Sequence, residues 1–453
     1  MEELIYPTII ESSVKMGTPN QAIIIYQGLF VLKNRDEELI VDGTIKYNWF
    51  PDSGIHFEGA SQNSKNKIKL EHFNESSELF INNLCVGKIF ITNINTSDLN
   101  QNSFIRGATN GKAIFGDSSI PVEKIIFSVP NLRDLDGLPV IRYNNDSTSY
   151  HRNRLEFEND KYLIKIDKCF NYTSLQSDLK SHGGYIIQYY GELTGKKGSV
   201  KLTDIQDTLN CFNKFLSFVN GRRTSALFIQ GIFKNEVQWC DYTAYIVDLY
   251  KYVKTWPQHY SIDGINKSWK KFNDLWQDKN DRNFLNSVIH WYVEANNQSG
   301  FVDGSIIMAQ TALELIYNWL IIEKKGLLLG NDAENIAAAN KIRLLLSQLN
   351  INNNIPFSFT NLQSYLSSNK EAKDAPDAIV QIRNSIVHSQ AEKRKKLALI
   401  DNNTLYETLQ LCLWYIEMSI LYILEFNGKY YNRCSGATYL GEGDELVPWI
   451  KDN

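Results

Sequence analysis

Residues 383–388 read Arg-Asn-Ser-Ile-Val-His, which sets a guanidinium and an imidazole five positions apart. A guanidinium can hold a phosphate through two parallel hydrogen bonds and stays charged at any working pH. Imidazole is the one side chain whose unperturbed pKa lets it give or take a proton near neutrality. A phosphate clamp beside a proton carrier, with no metal-ligand spacing around it, is equipment for cutting RNA without a metal. Nothing else in the 453 residues points to a reaction as directly.

The surrounding residues predict a helix that would carry the pair. Asp374 before Ala375-Pro376 is suited to an N-cap with proline in the first turn. Ile379, Ile382 and Ile386 then recur at helical spacing and mark a buried stripe. Counting about 100° per residue from Ile379, Arg383 falls at about 40°, Asn384 at about 140° and His388 at about 180°. Arg383 and His388 therefore flank a small apolar stripe near Val380 and Val387, with Asn384 one turn below His388. Such a border suits a cleft or an interface.

With these residues in place, the C-terminal third resembles the HEPN superfamily of ribonucleases. The resemblance rests on Arg383-x-x-x-x-His388, on the polar Asn384 after the arginine, and on an all-α setting. Within that setting lie the helix Met308–Tyr317 and a long apolar last helix around Leu405–Phe426. A β-rich region ahead of such a domain is similar to the Apea-type HEPN proteins of bacterial anti-phage defence. HEPN toxins paired with nucleotidyltransferase antitoxins carry a tyrosine two residues after the histidine; here that residue is Gln390. The resemblance implies a metal-independent, cofactor-free endoribonuclease with Arg383, Asn384 and His388 as catalytic residues. It also implies a homodimer through the C-terminal bundle. The chemistry asks for the same assembly, because in-line attack by a 2′-OH wants a base, an acid and cations for the phosphorane. One chain supplies one arginine and one histidine; a two-fold dimer supplies two of each.

Composition narrows the partners. A net charge of −4 gives no global attraction to nucleic acid, so RNA must be met by a local basic patch. Lys393-Arg394-Lys395-Lys396 directly follows His388 and is the candidate, with a solvated basic loop as the plain alternative. Hydrophobic content of 43% and charged content of 22% are ordinary for a globular chain, whose length predicts two or three domains. Six cysteines lie scattered, without zinc spacing, so no metal site is expected. Met1-Glu2-Glu3-Leu4-Ile5 has no basic, then apolar, signal pattern. The apolar run Leu411–Leu424 contains Glu417 and is too short to span a bilayer. The expectation is a cytoplasmic protein with no membrane partner.

Periodicity divides the chain into an α+β multidomain protein. Residues 1–165 form a β-rich region, a sandwich or open barrel, with strands expected at Gln21–Val31, Leu39–Trp49, Ser77–Ile91 and Val122–Val129. Turn signals fall at Asp42-Gly43, Asp52-Ser53-Gly54 and Asn110-Gly111. Residues 166–275 are mixed, either a second α/β module or a continuation of the first sheet. They carry strands at Gly184–Leu193, Ala226–Phe233 and Val237–Val247, a helix at Leu202–Val219, and the tryptophans 239, 256, 269 and 276. Residues 276–430 predict a bundle of helices at 281–297, 302–325, 332–349, 374–390 and 404–427, with 350–373 as the longest loop and 431–453 as a tail. The last helix is apolar nearly all round, so it must be covered inside the bundle or by a partner subunit.

Other constellations carry less chemistry. Gly107–Lys112 and Gly191–Lys196 resemble phosphate loops, but each is one residue short and lacks the hydroxyl after lysine, so both are expected to be β-turns. Arg222-Arg223 after Asn220-Gly221 predicts a turn before a strand. Glu314 could orient Arg383 or cap a buried polar contact. His290 and Asn318 fall on predicted helices, and His56, His72, His151, His182 and His259 are isolated. Two other classes fit the same sequence. One is a non-catalytic HEPN-like dimerisation scaffold. In the other, the β region binds a glycan, a peptide or a phage protein and senses a phage-derived or host trigger.

Overall fold

Alternating buried and half-buried residues along β strands dominate the first part of the chain, and a 3.6-residue period the rest, giving an α+β multidomain protein. The computed structural model describes residues 6–34, 38–62, 77–96, 103–144, 147–258, 262–298, 300–388, 390–437, 439 and 441–450. Two compact units are present. The first comprises residues 1–133, 138–213 and 224–250, and the second residues 134–137, 214–223 and 251–453.

The first unit opens with six antiparallel strands: β1 (Ile23–Lys33), β2 (Glu38–Asn48), β3 (Gly54–Ser61), β4 (Glu78–Ile81), β5 (Leu84–Thr96) and β6 (Ser103–Thr109). They close in the order β1-β2-β3-β6-β5-β4, with β4 returning to β1, so the expected sandwich or open barrel is a closed barrel. Period-two geometry puts every second side chain inside. Ile55, Phe57, Gly59 and Ser61 of β3 are buried, and the residues between them are half-buried. Asp42-Gly43, expected as a turn, lies within β2. Gly43 faces Gly59 across the ladder, and a Cβ there would sit 2.1 Å from the Glu58 carbonyl oxygen. The glycine serves a close backbone approach, not a reversal.

An eight-stranded antiparallel sheet follows, built from β7 (Ile114–Gly116), β8 (Lys124–Pro130), β9 (Leu138–Asn144), β10 (Ser147–Glu158), β11 (Tyr162–Lys168), β12 (Ile187–Gly195), β13 (Leu227–Phe233) and β14 (Glu236–Asp241). Its order, β7-β14-β13-β8-β12-β11-β10-β9, interleaves strands from both sides of residue 166, so residues 166–250 continue the earlier sheet. Two helices accompany it, α1 (Tyr172–His182) and α2 (Leu202–Asn220). Gly191–Gly195 forms the last part of β12, correcting the expected turn, which begins only at Lys196, and Gly107 likewise lies in β6. A buried ion pair fixes the N-terminal segment. Arg154 makes two bonds to Asp167, of 2.9 and 2.7 Å, while Asp167 also accepts from the Ile10 amide and Arg154 donates to the Thr8 carbonyl.

The second unit contains α3 (Ile262–Gln277), α4 (Lys279–Asn297), α5 (Phe301–Tyr317), α6 (Asn331–Glu334), α7 (Ala338–Gln348), α8 (Thr360–Ser368), α9 (Ala375–Val387), α10 (Ala391–Leu397) and α11 (Asn402–Ile423). The helix expected over 302–325 is α5 followed by a π-helical segment, Asn318–Lys324. Phe301–Lys324 is long and apolar enough to cross a membrane by length and composition. Here α5 packs against α4 and α11, burying Ile306, Ala309, Leu313 and Ile316. The supposed loop 350–373 contains α8, whose stripe was invisible because Leu362 is its one buried residue. Of the four clustered tryptophans, Trp239 belongs to β14 of the sheet; Trp256, Trp269 and Trp276 are buried in the helical unit.

Helix α11 is covered within its own unit, against α4, α5, α8 and α9. Its Glu417, fully buried, accepts from Arg433 at 2.9 and 2.5 Å and from the Tyr292 hydroxyl at 2.6 Å. Arg433 also reaches Asn296, Gln410 and the Lys254 carbonyl. The segment after residue 430 is thus no loose tail. It adds a hairpin of β15 (Lys429–Tyr431) and β16 (Asp444–Leu446) and a buried cation. Replacing Glu417 by Gln strands that cation, and we expect a loss of about 3–5 kcal/mol in urea unfolding. A Glu417→Met, Arg433→Met double variant should lose much less; equal losses would show that the charges do not act as a pair.

Candidate functional site

Helix α9 forms where the sequence places it. The Asp374 carboxylate accepts from the Asp377 amide at 3.0 Å, and proline occupies the first turn. Ala378, Ile379, Ile382 and Ser385 are buried, whereas Ile386, at the end of the predicted stripe, is only half-buried. The stripe faces α5, α7 and α8, which hold α9 in the unit.

Arg343 of α7 is a second anchor that the sequence did not reveal. Its Nε and Nη2 each lie 2.7 Å from Asp374 oxygens, and Nη2 lies 2.6 Å from Asp377. Burial by itself would raise the Asp374 carboxyl, but the Arg343 guanidinium and the Asp377 amide outweigh it and hold the group below the ordinary aspartate range. Only the i, i+3 spacing of the two aspartates at a helix start could have hinted at a shared cation. Their partner is some thirty positions away in sequence, where no local pattern reaches.

At the opposite end of α9 the structure joins the side chains of two of the three expected residues, Arg383 and Asn384, while His388 follows as the helix cap with its imidazole exposed. Arg383 Nη1 donates to Asn384 Oδ1 at 3.2 Å, and the His388 amide donates to the Asn384 carbonyl at 3.1 Å. His388 is the C-cap, with extended backbone and an exposed side chain, so it leaves the helical wheel on which its bearing was counted. Arg383 is half-buried, and its shielded Nε has no hydrogen-bond partner among the described residues. Among the described residues one neutral hydrogen bond, to Asn384, holds the guanidinium, leaving donors for an anion.

The basic run lies on α10, a short helix where a loop was the plain expectation. Lys395 is exposed, and Lys396 sits 3.3 Å from Glu371, both side chains largely in solvent. The side chains of Lys393 and Arg394 lie outside the described residues. Glu314 does not orient Arg383; it pairs with Lys341 at 2.6 Å. Arg223 forms an ion pair with Glu294 and lies 3.4 Å from His290 Nδ1. His56, His151 and His182 each bond a neighbour two or four residues away, while His72 and His259 fall outside the described residues. Among the described residues no three His, Cys, Asp or Glu side chains converge as a metal-ligand set.

Two domain models match the chain. That of the YopA central domain covers residues 117–253, and that of the YopA C-terminal domain covers residues 278–444. The chain is also similar to the SPbeta prophage-derived uncharacterized protein YopA of Bacillus subtilis (strain 168). The two are 26% identical over 454 residues, covering 98% of this chain and 99% of the relative. No solved structure matches significantly. The C-terminal match contains all of α9 and α10, and the central match spans most of the eight-stranded sheet.

The clamp at the start of α9 gives a pH-dependent prediction. A carboxylate whose folded pKa is depressed stabilises the fold above its unfolded pKa, and that contribution disappears as pH falls through the folded one. The Asp374 contribution should therefore be complete above about pH 5, begin to fall near about pH 4 and disappear as the pH drops through the depressed folded pKa. Asp374→Ala should lower stability at pH 7 by about 1–2 kcal/mol, the usual worth of a helix cap. The gap from the native chain should narrow on acidification; a gap independent of pH would show that Arg343 does not act on this carboxylate.

Proposed function

We propose that the protein is a metal-independent endoribonuclease of HEPN type, cutting single-stranded or loop RNA with Arg383, Asn384 and His388. The observation that carries the reading is Arg383, held by the neutral Asn384 at 3.2 Å, with an exposed His388 capping the same end of α9. Arg383 neutralises the scissile phosphate, His388 moves the proton of the 2′-OH or of the 5′-oxygen, and Asn384 positions the guanidinium. The 2′-oxygen attacks phosphorus, the bond to the 5′-oxygen breaks, and the products are a 2′,3′-cyclic phosphate and a 5′-hydroxyl. A-form duplex keeps the 2′-OH from in-line attack, so the reactive strand is unpaired.

The second acid–base group comes from a second copy of the chain. Because α11 is covered within its own unit, the dimer contact must lie elsewhere on the bundle. Val387, 42% exposed in the last turn of α9, supplies apolar surface beside the site, and Leu399, 86% exposed, follows α10 in sequence. The similarity along nearly the whole chain is to a prophage-derived protein, and we place the proposed enzyme in conflict between phage and host. In that setting the enzyme is a toxin-like effector of anti-phage defence, and the β-rich unit senses a phage-derived or host trigger.

Purified protein and His388→Ala should be incubated with total RNA in EDTA and the products read by gel and end chemistry. Cleavage should fall about 10²–10⁴-fold in the variant. Wild-type cleavage by His388→Ala, or activity that appears only with added divalent metal, would sink the mechanism. Inactive His388→Ala chains mixed with wild type should lower activity beyond simple dilution.

Replacing Lys393, Arg394, Lys395 and Lys396 together by Ser should weaken binding of all RNA sequences alike. The slope of log affinity against log salt should flatten by up to about 0.7 for each phosphate no longer neutralised. The Glu371 carboxylate beside Lys396 offsets part of that lysine's charge. An unchanged salt slope would move the RNA path to the β-rich unit.

A further inference from the structure

A second site lies in the helical unit, on elements other than α9. A cavity of ≈ 650 Å³ is bounded by α3, the π-helical segment, the end of α11 and residues 449–450. Its floor is apolar and aromatic: Trp319, Leu320, Tyr422, Ile423, Phe426 and Trp449. That volume falls within the ~300–1,000 Å³ of small-molecule pockets. Local geometry holds it open. Trp319 stacks on Phe284 at 4.5 Å and donates to Asp281, while Trp449 donates to the Phe426 carbonyl and meets the Tyr422 ring edge-on at 5.4 Å. The π-helical register of Asn318–Lys324 brings Trp319, Leu320 and Lys324 onto the cavity together, and such segments recur at functional sites.

Three lysines line the same cavity with unequal partners. Lys271 is matched by Glu425 at 2.5 Å and Lys324 by Asp281 at 2.7 Å. Lys325 instead donates to two neutral oxygens, Tyr422 Oη at 3.0 Å and Gln348 Oε1 at 2.7 Å, with its ammonium 5.0 Å from the Tyr422 ring centre. Its charge is matched by no carboxylate among the described residues, and it stands where an apolar floor meets solvent.

We infer that this cavity binds a single amphipathic anion, its apolar body against Trp319, Phe426 and Trp449 and its carboxylate or phosphate head on Lys325. The neutral partners of Lys325 orient the ammonium without cancelling it, so an anionic head gains a charge-assisted bond. The apolar floor rejects small hydrophilic anions, which leave it in contact with water.

The intact chain should be titrated with sodium decanoate below its micelle concentration and, in parallel, with decan-1-ol, following tryptophan fluorescence. Decanoate should bind saturably, one per chain, and more tightly than the alcohol. Lys325→Met should weaken decanoate roughly tenfold or more and leave decanol nearly unchanged. Lys325→Gln serves the same purpose if the methionine variant fails to fold by circular dichroism. Leu275→Trp, which fills the cavity, should abolish both. Equal affinity for acid and alcohol would overturn the anionic head, and absence of saturable binding would overturn the site. Phosphatidylglycerol vesicles provide the last arm: co-sedimentation without decanoate binding would assign the lysines to a membrane surface instead.

Discussion

A fully buried ion pair, Arg433 with Glu417, is the constraint on which the helical unit depends. Taking both charges out of water is costly, and their attraction offsets that cost only when the remaining donors and lone pairs are satisfied. Here they are. Arg433 reaches Glu417, Asn296, Gln410 and a backbone carbonyl, and Glu417 also takes the Tyr292 hydroxyl. These partners come from α4, α11, the segment before α3 and the chain after residue 431, so a shift in any one breaks several bonds together. Such a network selects one arrangement of otherwise interchangeable apolar helices.

The same device recurs in the β-rich unit. Asp167 in β11 and Arg154 in β10 form a pair buried to 0% and 5% exposure, and both bond the chain near residues 8–10. In each unit a terminal segment that could fray is held by charge in the interior. Hydrophobic burial supplies the bulk of each core, and the ion pairs decide which segment occupies which place.

Against that fixed frame, α9 is graded along its length. Its first turns are clamped by Asp374, Asp377 and Arg343 and buried through Ile382; its last turn opens to solvent at Val387 and His388. At that open end Asn384 accepts from Arg383 through its side chain and from the His388 amide through its carbonyl.

Much of this was legible in the sequence because local periodicity carries it. The strands of β1, β2, β8 and β12, the cap of α9, and the placing of Arg383 and Asn384 on that helix depend on residues within a turn or two of each other. Where the reading failed, the deciding partner was distant. Asp42-Gly43 read as a turn until Gly59 took the place across the ladder, and Glu314 was free to serve Arg383 until Lys341 arrived from α7. The apolar α11 raised the question of a partner, and only packing showed its own helices covering it. Sequence alone determined the strongly periodic strands and helices and which residue types could do chemistry; it left α8 hidden in an expected loop. Tertiary structure decided which charges met, because a buried ion needs its counter-ion within bonding distance, and no rule of local spacing brings Arg343 to Asp374 or Arg433 to Asn296.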